Sequence, residues 1–549
     1  MALPDWARRS VDLYESNASN QFLVYGNVED RFLIPGPPPR LATLTEFLLE
    51  VLLPGFAVVL SYDLGNGIRV EKGGSIFASW PALKDASPLP KQPRPAIEYL
   101  TQYFRYCANL RRLQRESVQV GLLLKYANLV APATAGSVDH ELGAIITLIR
   151  DWSIDNLLTG HPLATFIFAE NVSDVHPLLS RNPRCQHIQI PLPTTAEMIA
   201  AFEVLKDRYP VTLGESRNRR EEIARALTGA TLTAAESLLK ELEHNRKSPT
   251  SDDLVVVKKQ MVQTESQGLI EFVESRRTLD AIKGHDAVKT WLRQDISLWN
   301  SGDVEALPKG YLISGPVGTG KSFLVECLAG EAAVPMVKLK NFRDRWVGST
   351  EGNLERIFRL LRALGRCYVF IDEADQALGK RESGSDSGVS GRVYSMIAEE
   401  MSSPHNRGRI LWVLASSRPD LIEVDLKRPG RVDVKIPLFP TANARESFEL
   451  IQFLCRSRGI EFPPESLELL APMLPDWLTP GAAETLAVKV YRETKTRHCS
   501  PVEALVSSLE DYRPPVPREI LAFQMQLAIA EASDQSFVPS HFVFKEIAP

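Results

Sequence analysis

Residues 311–330 read YLISGPVGTGKSFLVECLAG: a short apolar run, a glycine-rich turn, then apolar residues at helical spacing. Strand, loop and helix in that order are the setting in which G-x-x-x-x-G-K-[ST], here Gly315 to Ser322, cradles phosphate. Glycines 315, 318 and 320 let the loop from Gly315 through Pro316 turn the N–H groups of Val317, Gly318, Thr319 and Gly320 onto an anion, Pro316 itself having no N–H to give. The helix that follows adds its positive end. Lys321 is placed to reach the β- and γ-phosphates, and Ser322 offers the hard oxygen that magnesium takes. ATP and Mg2+ are the cofactors predicted here, and a parallel α/β sheet is the fold.

Working outward, residues 367–375 read CYVFIDEAD, an apolar strand that ends in carboxylates, where an open α/β sheet presents ligands. Asp372 is suited to bind magnesium's water shell, and Glu373 to polarise a water that attacks the γ-phosphorus. A solvated turn is the competing reading, and the loop upstream argues against it.

A similar run, LLLKYANLV at 122–130, carries Lys125 and Tyr126 where the later strand carries Asp372 and Glu373. The parallel extends along the chain. Residues 163–205 echo residues 410–450, with Arg181 and Arg184 spaced like Arg428 and Arg431, and each second arginine nine residues before a Pro-Thr, at Pro193 and Pro440. TAAESLLKEL from 233 echoes GAAETLAVKV from 481. The first half therefore reads as a relative of the second that has lost its chemistry. Its candidate phosphate loop, SYDLGNGIRV at 61–70, lacks Lys-Ser or Lys-Thr, so weak or no nucleotide binding is expected there. Arg181 and Arg184 either hold a contact by pairing with carboxylates or are relics.

Composition sets limits. A chain of 549 residues exceeds one core, and 44% hydrophobic with 24% charged residues is ordinary for folded, soluble protein. A net charge of -5 leaves no basic footprint, which disfavours nucleic acid; RNRREE and NLRRLQRE read as solvated helix faces. The six cysteines show no CxxC pair and read as reduced thiols. No apolar leader is present, and the greasiest stretch, FLLEVLLPGFAVVLSYDL, is broken by Glu50, Pro54 and Gly55, so no membrane span and a cytoplasmic address are expected. HELGA at 140 puts Ala144 where a zinc protease needs its second histidine, and no HExxH follows the phosphate-loop module.

With these motifs in order, and with DLKRPGRVD at 425–433, residues 279–490 resemble an ATPase module of the AAA family, in the branch marked by an RPGR ending. The resemblance implies a P-loop NTPase αβα sandwich with a helical lid, preceded here by a degenerate AAA-like α/β domain. It also implies magnesium-dependent ATP hydrolysis and a homo-oligomeric, hexameric ring. Under it Arg428 and Arg431 match fingers that reach a neighbour's ATP site, although a surface pair is the plainer reading. Ser417 stands where the family's sensor strand ends in asparagine; its shorter hydroxyl implies slow hydrolysis. Trp346, Val347 and Gly348 resemble the central pore loop that grips a polypeptide, the alternative being a core tryptophan at a helix start.

The expected domains are 1–245 (degenerate), 246–273 (linker helix), 274–440 (nucleotide-binding), 441–505 (lid) and 506–549 (helical tail). Two-module bacterial and plastid AAA proteins are a looser likeness. The leading functional expectation is an ATP-driven ring that remodels or threads a protein partner. The rival is an ATP-gated assembly scaffold with slow hydrolysis; a nucleic-acid motor ranks third.

Overall fold

The computed structural model describes residues 3–542 apart from 37, 86–87, 116, 134–138, 215, 248–249, 251–258, 260–261, 264–265, 267, 341–349 and 379–386. By contacts the chain divides into two units, one of residues 1–266 with 346–364, the other of 267–345 with 365–549.

In the first unit the strands are β1 (Gln21–Gly26), β2 (Arg31–Ile34), β3 (Arg40–Thr43), β4 (Val58–Asp63), β5 (Gly67–Lys72), β6 (Val120–Leu124), β7 (Leu163–Ala169) and β8 (Cys185–Ile190). Six form one sheet in the order β8-β1-β7-β6-β4-β5, parallel throughout except for the antiparallel pair β4 and β5. Side chains alternate across a strand, so one sheet serves two cores. Leu23, Leu60 and Leu122 enter one; Phe22, Val24, Val59 and Leu123 enter the other. Helices Thr195–Leu205, Arg217–Ala226 and Leu232–His244 close around their own cluster, with Phe202, Ile223 and Leu239 at its centre.

The second unit holds β9 (Ile270–Val273), β10 (Gly310–Ser314), β11 (Met336–Leu339), β12 (Cys367–Ile371), β13 (Ile410–Ser416) and β14 (Val434–Pro437). Their order is β14-β10-β13-β12-β11-β9, again parallel except for the last pair. Strands β10, β12 and β13 are buried at every position, which is why they read as unbroken apolar runs. Helices Ala444–Arg456, Ser466–Leu470, Pro480–Arg497 and Pro501–Glu510 form the separate lid core around Ile451, Leu486 and Leu505.

The two sheets match strand for strand, β8-β1-β7-β6-β4-β5 against β14-β10-β13-β12-β11-β9, with the same pair antiparallel. The internal repeat is therefore architectural, and it corrects one expectation. Residues 61–70 are no phosphate loop: they are the turn of the β4–β5 hairpin, with Asp63 accepting from the Gly65 and Asn66 amides. The strand equivalent to β10 is β1, so the loop to compare begins at Gly26.

Two boundaries also move. The expected linker helix at 246–273 ends in a strand, because Ile270 and Phe272 alternate inward at period two. The last lid helix runs to Glu510, past 505. The tail helix Arg518–Glu531 packs on β14 and β10, with Lys427 and Lys435 both paired to Glu531. The helix Thr350–Leu364 buries Leu354, Ile357, Phe358 and Leu361, the face its spacing predicts, and Arg359 donates to the Glu170 carbonyl at 2.9 Å.

Candidate functional site

Strand β10 delivers the chain into a loop with positive φ at three glycines, Gly315, Gly318 and Gly320, two of which also lack room for a Cβ. Gly315 has φ +150°, and a Cβ there would lie 2.3 Å from the Leu438 carbonyl oxygen. Gly318, at φ +84°, would set a Cβ 3.1 Å from Thr479 Oγ1, at the start of the lid helix Pro480–Arg497. Close approach of lid to loop thus depends on the missing side chain. The lid is anchored by the Gly481 amide, which donates to the Gly318 carbonyl at 2.9 Å.

Helix Lys321–Ala332 starts behind Gly320, an N-cap without a side-chain acceptor, so its first amides have no capping side chain to compete with an anion. Lys321 Nζ donates to the carbonyls of Gly315 and Pro316, both at 2.9 Å. Burial pushes its ammonium down to about 8, against the opposing pull of Asp372, Asp375 and Glu373. Thr319 Oγ1 donates to the Pro316 carbonyl, and the Val317 amide donates to Gln524 Oε1 at 3.1 Å.

At the end of β12, Asp372 Oδ2 accepts from Ser322 Oγ at 3.0 Å and from Lys338 Nζ at 2.8 Å, and Oδ1 accepts from the Glu373 amide at 3.1 Å. Ser322 and Asp372 thus bring hard oxygens together, the donor chemistry that magnesium prefers, so the residues fit that ion. Among the described residues, no group of three or more His, Cys, Asp or Glu could hold a metal by itself. Glu373 turns out of the strand with φ +48°, a left-handed conformation that exposes its carboxylate. Asp375 accepts from Ser416 Oγ at 2.5 Å, and Ser416 Oγ accepts from the Arg418 amide at 2.9 Å; Ser417 beside them is half-buried.

The two arginines separate. Arg431 is 22% exposed and tied to Ser402 Oγ, the Asp425 carbonyl and the Asp425 carboxylate. Arg428 is 69% exposed, with Asp425 Oδ1 at 2.7 Å. Arg428 has the reach and Arg431 the bracing. Trp346, Val347 and Gly348 lie outside the described residues.

Sequence reasoning missed Lys338, Asp375, Ser416 and Gln524. Asp375 was visible as the last letter of DEAD, and Lys338 as the one cation in a four-residue strand. Gln524, some two hundred residues downstream, carries no sequence signal for its contact.

The first unit shows the same frame with other chemistry. Gly26, at φ +102°, would set a Cβ 2.4 Å from the Ile190 carbonyl oxygen, as Gly315 would at Leu438. No helix follows: the chain enters the β2–β3 hairpin instead. Asp30, 3% exposed, accepts from the amides of Leu232 at 2.9 Å and Thr233 at 2.8 Å, the first turn of the helix Leu232–His244. Thr233 corresponds to Gly481, so both lid helices are anchored through the same amide, by a carbonyl in one unit and a carboxylate in the other. Tyr126, at φ +51°, repeats the turn of Glu373. Its phenol is raised by the nearby Glu29 carboxylate and by burial, so here the loop carries the acid and the strand does not.

Residues 1–191 match the family model of the AAA+ chaperone N-terminal Rossmann-like domain. Residues 311–439 match that of the ATPase family associated with various cellular activities (AAA). Among similar proteins, the peroxisomal ATPase PEX6 of Penicillium chrysogenum is 30% identical over 207 residues, 36% of this chain and 14% of its own length. The cell division cycle protein 48 homolog of Archaeoglobus fulgidus is 33% identical over 155 residues, 28% of this chain and 21% of its own. The ATP-dependent zinc metalloprotease FtsH of Marinobacter nauticus is 33% identical over 183 residues, 32% and 29% respectively. The chain spans less than a third of the length of each of these three relatives.

Proposed function

We propose that the second unit binds and hydrolyses ATP with magnesium, and that the chain works as a ring, a hexamer by family likeness, which remodels or threads a protein partner. The observation that carries the ATPase reading is the Ser322–Asp372 contact of 3.0 Å, set beside the Lys321 loop and followed by an exposed Glu373. The AAA match over 311–439 and the relatives named as ATPases support it. The relatives' names include an ATP-dependent zinc metalloprotease, which supports a protein substrate and leaves its identity open.

In this reading Lys321 exchanges its two loop carbonyls for phosphate oxygens, which return a full charge to an ammonium that burial has destabilised. Ser322 and, through water, Asp372 would hold magnesium, which would neutralise charge on the phosphates. Glu373 accepts a proton from the attacking water. Ser416 and Asp375 brace the adjacent strand end, where Ser417 approaches the γ-phosphate with a short hydroxyl. Arg428 reaches a neighbouring site while Arg431 holds the turn. Trp346, Val347 and Gly348 grip the polypeptide.

The first unit is structural, because Asp30 puts a buried carboxylate where a phosphate loop needs positive charge. A cytoplasmic setting is proposed from six cysteines, all of them free. Among the described residues no helix is long and apolar enough to cross a membrane.

The test pairs Lys321→Ala with Glu373→Gln. The first should abolish ATP binding; the second should keep binding and stop phosphate release. Normal turnover by the Glu373 variant would remove it as the base. Mass spectrometry of what co-purifies with the Glu373→Gln protein identifies the partner.

A further inference from the structure

Lys338 is the one charged side chain of β11, and its neighbours Met336, Val337 and Leu339 are buried. The parallel register sets it beside Phe370, with Nζ 5.4 Å from that ring centroid. Asp372, two residues past Phe370, faces the same side of the sheet. The antiparallel partner of Lys338 on the other side is Glu271, whose carboxylate lies 3.9 Å from the Lys340 ammonium. The Lys338 ammonium goes to Asp372 Oδ2, at 2.8 Å, with both side chains about one-third exposed or less (33% and 27%). Ser322 Oγ donates to that same oxygen.

The Asp372 carboxylate is therefore satisfied by three donors: the Glu373 amide on one oxygen, and the Ser322 hydroxyl and the Lys338 ammonium on the other. A lysine ammonium is a compact point charge on a flexible stem, able to stand in for a small cation and to swing away. Any dication held by Ser322 and Asp372 must contend with it for one carboxylate, and two cations on one carboxylate repel.

We propose that Lys338 is the resident cation of the magnesium position: it holds Asp372 when no metal is there, lets a nucleoside phosphate bind without metal, and must be displaced for magnesium to enter. It is a positioning residue. The inference rests on the reading of the second unit as a nucleotide site, and it names that site's metal dependence.

The test measures equilibrium binding of a fluorescent ADP analogue to the full chain, first in EDTA and then across a magnesium titration. Wild type should bind in EDTA. Lys338→Met, close in volume but uncharged, should bind about tenfold more weakly in EDTA, having lost a charge beside the phosphates. Its half-saturating magnesium concentration should fall below that of wild type, because nothing competes for Asp372. Lys338→Arg, which keeps the charge, should retain binding in EDTA. Thermal melts check that each variant is folded. Identical EDTA affinity and identical magnesium midpoint for wild type and Lys338→Met would overturn the proposal. Wild type that binds only with magnesium would overturn it as well, while leaving the nucleotide reading intact. Wild type that binds under neither condition would sink both.

Discussion

Replacing Asp30 with alanine should release the helix Leu232–His244 from the loop after β1. The carboxylate is 3% exposed and accepts from the Leu232 amide at 2.9 Å, the Thr233 amide at 2.8 Å, Thr233 Oγ1 at 2.9 Å and Asn27 Nδ2 at 2.8 Å. Two backbone donors lose their acceptor where water barely reaches, about 1–3 kcal/mol each, and the helix loses a stabilising negative charge at its N-terminus, about 0.3–1 kcal/mol. The sum is about 2–7 kcal/mol for the docking. Asp30→Asn keeps an acceptor oxygen without the charge and should cost about 1–2 kcal/mol. The helix itself should survive, because Thr231 Oγ1 still caps the Ala234 amide at 3.1 Å. Hydrogen exchange read by mass spectrometry over 232–244 should accelerate in the order wild type, Asn, Ala, with nucleotide affinity of the second unit unchanged. Wild-type exchange rates in the alanine variant would refute the anchoring role.

Three further outcomes are expected. Arg428→Ala should lower turnover about a thousandfold with ATP affinity kept, and mixing it with Lys321→Ala chains should restore part of the activity; full activity of Arg428→Ala alone would return it to the surface. Trp346→Ala should leave basal hydrolysis in place and remove stimulation by a protein substrate; retained stimulation would favour the timed scaffold. His161, 4% exposed, is pushed down to about 4 by burial and by Arg111, from an ordinary 6.5. Between these values the unfolded chain binds a proton the folded one does not, so this contribution is intact above pH 6.5 and is lost towards pH 4, about 3 kcal/mol in all. Thermal melts of His161→Leu should decline less steeply than wild type over that window, and equal slopes would count against the burial effect.

The candidate nucleotide site was legible because the proposed chemistry is local: Gly315 to Ser322 is contiguous, and Asp372 and Glu373 follow a strand buried at every position. The repeat was legible for the same reason, in LLLKYANLV and in the two lid helices. What sequence misjudged was topology. Glycines at 65 and 67 suggested a phosphate loop, yet their job is a hairpin, and the true equivalent at Gly26 is a single glycine whose need arises from the Ile190 carbonyl, far away in sequence. The partners of Lys338 and Gln524 were hidden likewise, since each is acquired only when strands or tail assemble. At 270–273 a four-residue strand was too short for its period to outweigh the polar stretch before it.

The outermost positions of the two sheets are filled from opposite directions along the chain: β5 follows β4 through a tight turn, whereas β9 is laid down well before β11. A fragment begun at residue 274, where the sequence invites a cut, would strip β9 and leave β11 with a row of unpaired backbone donors and acceptors. Such an open edge is a template for another chain. The fragment should therefore self-associate and precipitate even with every catalytic residue present, while one begun a few residues earlier should stay in solution. On this expectation the short segment Ile270–Val273 matters to the second unit's sheet as the cover for the outer side of β11.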